Sequence, residues 1–291
     1  MQRVFLALLA VSALASCARP TVSFVAPPTA AAGNELSFSN NTQEATTYLW
    51  DFGDGNTSTE REPNHRFLTS GAYTVSLTAT NEKGKSATQK QTVTLTAPKR
   101  CLVLIETPEG DMIAEIYDST PLHQDNFVKL IEQNYYDSLL FHRVIEGFMI
   151  QGGDPDSRNA PAGGMLGTGG PGYTVKAEFQ DSLAHVKGAL AAARTNNPQK
   201  RSSGSQFYIV QGRPVSAQDL NQKEGRNRFR YPSHVRDRYA ELGGTPFLDQ
   251  EYTVFGQVIE GLDVIDRIAG VATNSANRPD EDVWMVIKLI R

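Results

Sequence analysis

Cysteine is nearly absent: Cys17 and Cys101 are the only two in 291 residues. Once Cys17 is consumed at the N-terminus no intramolecular disulfide is left, so packing must supply the stability. Metal-ligating patterns are missing too. There is no C-x-x-C and no H-E-x-x-H, and His65, His123, His142, His185 and His234 are scattered, which argues against a metal enzyme and implies no cofactor. The formal net charge is −4, so the chain lacks the positive excess of a nucleic-acid binder, and no nucleic-acid partner is expected. Long hydrophobic runs are lacking as well. The apolar stretch 4–14, preceded by Arg3 and followed by small residues, is too short to span a bilayer and reads as a removable secretion signal over 1–16.

Leu14-Ala15-Ser16-Cys17 resembles the bacterial lipobox. The resemblance implies lipidation of Cys17 and a membrane anchor, since several acyl chains hold where a single one is marginal. An ordinary cleavage site with an incidental cysteine is the bland reading. Ala18, where sorting signals for the inner membrane carry Asp, resembles the outer-membrane class, and no acidic run follows at 19–22. A periplasm-facing anchor is therefore expected. Residues 17–33, rich in Pro and Ala, read as a tether.

From 34 to 95 the chain is dense in Thr, Ser, Val and Tyr with period-two alternation, as in Tyr73-Thr74-Val75-Ser76-Leu77. Short strands at this spacing indicate a β-sandwich. Trp50-Asp51-Phe52-Gly53-Asp54-Gly55, with Pro63, His65 and Phe67 downstream, resembles the PKD-type immunoglobulin-like domain. Trp50 is expected in the core, with Asp51 and Asp54 bracing a glycine turn. The Asp spacing does not fit a calcium loop. Such domains space or bind, and a protein or glycan ligand is the implied partner. Residues 96–100 read as a linker.

The remaining segment, 101–291, opens with alternating strands over 101–107 and 111–117. Thr120-Pro121 then starts a helix, Thr as N-cap and Pro at the first position, with Leu122, Phe127, Leu130 and Ile131 as its apolar face. The stretch 141–155, Phe-His-Arg-Val-Ile-Glu-Gly-Phe-Met-Ile-Gln-Gly-Gly-Asp-Pro, reads as strands over 139–145 and 148–151 turned at Glu146-Gly147. Alternation puts Phe141, Arg143 and Ile145 on one face and His142 and Val144 on the other. A guanidinium on an apolar face is either paired or lining a cleft, because an unpaired buried charge is costly.

Two further stretches, Gly204-Ser205-Gln206-Phe207-Tyr208-Ile209-Val210 and Phe247-Leu248-Asp249 followed by Tyr252-Thr253-Val254-Phe255-Gly256, complete a pattern that resembles the cyclophilin family of peptidyl-prolyl isomerases. The resemblance implies a mainly β fold: a closed eight-stranded antiparallel β-barrel capped by two helices, the second over 261–270, with 283–290 as closing strand. It implies Xaa-Pro-containing polypeptides as substrates. The family's catalytic arginine falls on Arg143, its pocket residues on Phe148, Met149 and Tyr208, and its amide clamp on Gln151. Ala193 and Arg194 fall where the backbone receives substrate, Gln206 beside the site, and Phe247, Leu248 and Tyr252 on the rim. Phe247 stands where cyclosporin-sensitive members carry Trp, Tyr252 where many carry His, and Tyr208 where the floor is Phe.

Six glycines in 163–172 exclude regular structure there. The run of Ala within 188–193 suggests close approach of backbone or ligand, or plain core economy. Between 213 and 244 lies an insertion with seven Lys or Arg and four Asp or Glu, with a short helix expected over 233–242 stopped by Gly243-Gly244. It either adjusts substrate access or is a solvated charged loop. The functional expectation is an anchored prolyl isomerase assisting folding of envelope proteins. The alternative is an envelope-anchored binding module reading Pro-containing peptides or glycans with little turnover.

Overall fold

The computed structural model describes residues 19–161, 163–227 and 229–291, so Cys17 and the signal segment lie outside the described residues. The chain divides into two compact units, 1–97 and 98–291.

In the first unit a five-stranded sheet runs in the order Thr29–Ala31, Ser86–Thr96, Gly71–Thr80, Thr47–Asp51, Thr57–Ser58. Two small pairings accompany it, Phe24–Val25 with Ser39–Asn40 and Glu35–Ser37 with Asn64–Arg66. Trp50 is fully buried at the centre of the core, its indole N–H donating to the Glu60 carbonyl at 3.0 Å. The glycine turn is braced as expected: Asp51 accepts from the Gly53 N–H at 2.9 Å and Asp54 from that of Asn56 at 3.0 Å. Gly53 has φ +80, and a Cβ there would lie 2.9 Å from the Thr74 carbonyl oxygen. His65 stacks on Phe52 at 3.9 Å and reaches the second Asp54 oxygen at 2.8 Å. Burial works against the Asp54 carboxylate, yet hydrogen bonds from Asn56 and His65 hold its pKa below the usual range. One expectation is corrected: the segment read as a tether carries two strands. Phe24 is 2% exposed and meets Trp50 edge-on at 5.0 Å. The parallel pairing of Thr29–Ala31 with residues 94–96 needs no alternation of its own, so the pattern of this stretch did not reveal it.

The second unit is built on one sheet of nine segments. Its order is Leu139–Leu140, Trp284–Ile290, Cys101–Thr107, Gly110–Ile116, Val254–Glu260, Ala189–Ala192, Phe207–Val210, Met149–Gly152, Arg143–Ile145. The first and last segments are separated by only Phe141 and His142, so one interrupted strand joins the sheet's two ends and closes it as an eight-stranded barrel. Inside lie Val103, Ile105, Ile150, Leu190 and Ile209. Helix α1 (Pro121–Glu132) adds Phe127, Leu130 and Ile131 to this interior, and α4 (Leu262–Ala269) adds Val264, Ile265 and Ile268.

The break at 141–142 overturns the alternation expected there. Phe141 does not share the face of Arg143 but is buried in the barrel interior, since the irregular step resets which side each residue meets. The helix start is also corrected. Thr120 makes no side-chain cap; its hydroxyl donates to the Tyr117 carbonyl. The carboxylate of Glu178, distant in sequence, instead accepts from the N–H groups of Leu122 and His123, each at 3.0 Å. Leu122 is 48% exposed, and His123 takes its expected place on the buried face. His123 is fixed through Nδ1 to Glu178 at 2.6 Å and Nε2 to Ser202 at 3.0 Å.

Burial lowers the pKa of His123 despite Glu178, and burial likewise lowers that of His142. Between the folded and unfolded values the unfolded chain binds more protons, so stability is present above about pH 6.5 and is lost as pH falls below it. Chemical denaturation of the full chain at several pH values is therefore expected to show the second unit losing stability from pH 7 towards pH 5. An unchanged unfolding midpoint across that range would contradict the neutral burial of these two rings.

Candidate active site

The site grows from the outward face of four neighbouring strands. Arg143 pairs with Gln151, Gln151 with Tyr208, and Tyr208 with Ala191, so these four stand in one row across the sheet with their side chains on one side. The next residues inward, Val144, Ile150, Ile209 and Leu190, pair in the same way and face the barrel interior. Ala189 and Ala191 are fully buried under Met149, Tyr208, Leu248 and Val254. The small side chains thus admit neighbouring side chains of the protein's own outer cluster.

A directed chain of hydrogen bonds sets the polar edge. The Gln206 amide donates to the Gly169 carbonyl at 2.8 Å, the Gln151 amide donates to Gln206 Oε1 at 3.1 Å, and Arg143 donates to Gln151 Oε1 at 3.3 Å. Gln151 is therefore fixed with its oxygen towards the guanidinium. Among the described residues Arg143 forms no ion pair, and it is partly exposed. Of the two explanations for its place on an apolar face, pairing with a carboxylate is not realised among the described residues.

The apolar part has a packed floor and an open rim. Met149, Tyr208 and Leu248 are buried, whereas Phe247 is 60% exposed and lies against Phe148 with ring centres 5.7 Å apart. Tyr252 meets Tyr208 edge-on at 5.8 Å, and the Arg194 guanidinium lies over its ring at 4.7 Å while bonding to Glu251. Ala193 departs from expectation: its N–H donates to Gln206 O and its carbonyl accepts from Ser203, so both backbone groups are already used. Among the described residues no other backbone group engages those of Arg194. Beside it a cavity of about 390 Å³ extends along Gly169 and Thr174.

Residues 102–288 match the family model described as cyclophilin type peptidyl-prolyl cis-trans isomerase/CLD, and 17–97 match a PKD domain model. The chain is 38% identical over 182 residues to a putative peptidyl-prolyl cis-trans isomerase of Staphylococcus aureus, covering 62% of this chain and 87% of that protein. It is 40% identical over 193 residues to a putative bifunctional phosphatase/peptidyl-prolyl cis-trans isomerase of Streptococcus pyogenes, covering 65% of this chain and 37% of that protein's length. A solved Cryptosporidium parvum cyclophilin type isomerase superposes with a TM-score of 0.47 at 24% identity, covering 65% of this chain and 97% of that one. The chain belongs to the cyclophilin family.

Beneath the cyclophilin pocket lies a buried network that sequence reasoning missed. The Tyr208 hydroxyl meets His185 Nε2 at 3.0 Å, and His185 Nδ1 meets Asp249 Oδ1 at 2.7 Å. The other Asp249 oxygen accepts from the hydroxyls of Tyr231 and Tyr239, each at 2.6 Å. With the Nδ1 proton directed at Asp249, Nε2 accepts from Tyr208, which answers the need of a buried hydroxyl for a partner. Burial raises the Tyr208 pKa far above its ordinary value, so the phenol keeps its proton.

Tyr231 and Tyr239 belong to the insertion, which folds as α2 (Ala217–Asn227) and α3 (Ser233–Leu242). Leu220, Tyr231, Val235 and Tyr239 form a small core with Ala184 and Val186, so the insertion is not a solvated loop. Gly244 is required where it crosses the sheet edge, because a Cβ there would fall 2.2 Å from the His185 carbonyl oxygen. Only the Tyr residues amid charged neighbours, and Asp249 beside Leu248, hinted at this arrangement.

Asp249→Ala strands the His185 ring and two phenols in a buried site and is expected to cost about 3 kcal/mol or more in urea denaturation, against about 1 kcal/mol for Tyr239→Phe. Equal, small losses would show that Asp249 is not the hub.

Proposed function

We propose that the second unit accelerates rotation about Xaa-Pro bonds in exported polypeptides, with Arg143 as the catalytic residue. The observation that carries this reading is a guanidinium that has no ion pair among the described residues, beside an apolar slot and aimed by a fixed glutamine. Peptide rotation is opposed by about 18–20 kcal/mol because the nitrogen lone pair is delocalised into the carbonyl. Even prolyl bonds take tens to hundreds of seconds unaided. Half-way through rotation the nitrogen becomes pyramidal and its lone pair localises, so it accepts a hydrogen bond that the planar amide cannot accept. Arg143 is the donor. A contact made mainly in the transition state accelerates, rather than merely binds.

Phe148, Met149, Tyr208 and Leu248 hold the proline ring, with Phe247 and Tyr252 at the rim. Gln151 and the free backbone of Arg194 hold the carbonyl that precedes it, while Ala193 and Gln206 position that edge. No nucleophile or proton shuttle takes part. The guanidinium keeps its charge across the accessible range. The reaction is accordingly expected to be nearly independent of pH between about 6 and 9, and a sharp bell-shaped profile would contradict it.

Arg143→Ala should lower kcat/KM on an Xaa-Pro peptide about 10²- to 10³-fold, the usual effect of deleting one pre-organised donor. A variant with near-full turnover would remove Arg143 from this role.

The proposed setting is the cell envelope, with Cys17 as lipidated anchor and the PKD-like unit as spacer or as binder of protein or glycan. The motif at 14–17 supports the anchor. Among the described residues no helix is long and apolar enough to cross a membrane. Cys17→Ala in the full-length precursor is expected to move the protein from the membrane fraction to the soluble fraction of lysed cells. An unchanged distribution would argue against lipid anchoring.

A further inference from the structure

A second groove, of about 490 Å³, opens on the far side of the Phe148–Phe247 ring pair, between the rim and helix α2. The strands give it a direction. Gln151, Gln206 and Ala193 mark one end of the row of strands, where the cavity beside Arg194 lies. Phe148 marks the other, its carbonyl accepting from Gln211 and Gly212 where the chain leaves Phe207–Val210 for the insertion. The slot formed by Met149 and Tyr208 lies between the two. A strand advances about 3.3 Å per residue, so an extended peptide covers the three steps from Met149 to Gly152 in about 10 Å.

The groove has apolar walls and a cationic side. Ile145, Phe148, Val215 and Phe247 line it, together with Arg213, Lys223 and Arg226. Among the described residues none of these three cations forms an ion pair, and Lys223 donates to the Phe247 carbonyl at 3.0 Å. The carboxylates at the groove are Glu146, which is exposed, and Asp219, which is held by the Ser216 hydroxyl at 2.6 Å and N–H at 2.8 Å. The insertion that supplies the cations has seven basic and four acidic residues in a chain whose net charge is −4. Arg236 is paired with Glu224 and Arg238 is bonded to Gln257, so at the groove itself the three cations Arg213, Lys223 and Arg226 stand beside two carboxylates.

We propose that this groove is a subsite for the substrate segment following the proline, and that it selects an acidic side chain two to four residues downstream. The inference rests on the isomerase reading, in which the carbonyl before the proline is held at the Arg194 end and the chain leaves over Phe148 and Phe247.

The test uses the full chain and Xaa-Pro peptides identical except for Glu, Gln or Lys at the second, third or fourth position after proline. Isomerisation is measured by NMR exchange. The expected order of kcat/KM is Glu above Gln above Lys at one of these positions, with Glu exceeding Lys about fivefold at low salt and the gap shrinking at about 0.5 M salt. In the double variant Arg213→Glu/Arg226→Glu the order reverses. Because both peptides are compared on one protein, a folding defect lowers both rates and leaves their ratio intact. Equal rates for all three side chains at every position, or a ratio unmoved by charge reversal, overturn the subsite while leaving the isomerase standing. Absence of turnover on every peptide overturns the reading beneath it.

Discussion

Arg143 is only partly exposed and, among the described residues, has no carboxylate, so its neighbours must hold the guanidinium on an otherwise apolar face. The sheet supplies the row Arg143–Gln151–Tyr208–Ala191, and the amide chain from Gly169 through Gln206 and Gln151 supplies a neutral acceptor. A carboxylate in place of Gln151 would hold the arginine more tightly and would also satisfy it in the ground state. On the proposed mechanism, neutral orientation leaves the positive charge for a partner that appears only as the imide bond turns.

The floor beneath that charge is stiffened from outside the barrel. Tyr208 reaches His185, Asp249 and the two insertion tyrosines through unbroken buried hydrogen bonds. One side of this network meets the outer cluster of Met149, Ala191 and Leu248, and the other meets the small core of α2 and α3. In such a low-dielectric network each member fixes its neighbours, so the position of the insertion and the geometry of the pocket are set together. The same insertion forms one wall of the groove beside Phe148 and Phe247.

Much of this was legible in the chain because it depends on local pattern. The strand pairs, the second helix with Ile265 and Ile268, and Trp50 at the core of the first unit follow from periodicity and turn residues. The candidate site residues came from a resemblance carried by three separated stretches, and the sheet register brings Arg143, Gln151 and Tyr208 into one row. What escaped reading depends on distant partners. Glu178 caps α1 from a loop more than fifty residues away, which no residue near Thr120 announces. Asp249 gathers Tyr231, Tyr239 and His185 from three separate segments. Phe141 lies in the barrel interior because the strand is interrupted at 141–142, between the segments that stand at the two ends of the sheet order.

The central claim is that Arg143 acts on the rotating bond and not on the resting one. It is tested most directly by measuring, for the wild type and Arg143→Ala, both the affinity for an Xaa-Pro peptide and the cis–trans exchange rate of the bound peptide by NMR. The account predicts affinities that differ by less than about threefold while exchange on the protein slows about 100-fold or more. Loss of affinity with an unchanged exchange rate in the complex would contradict it.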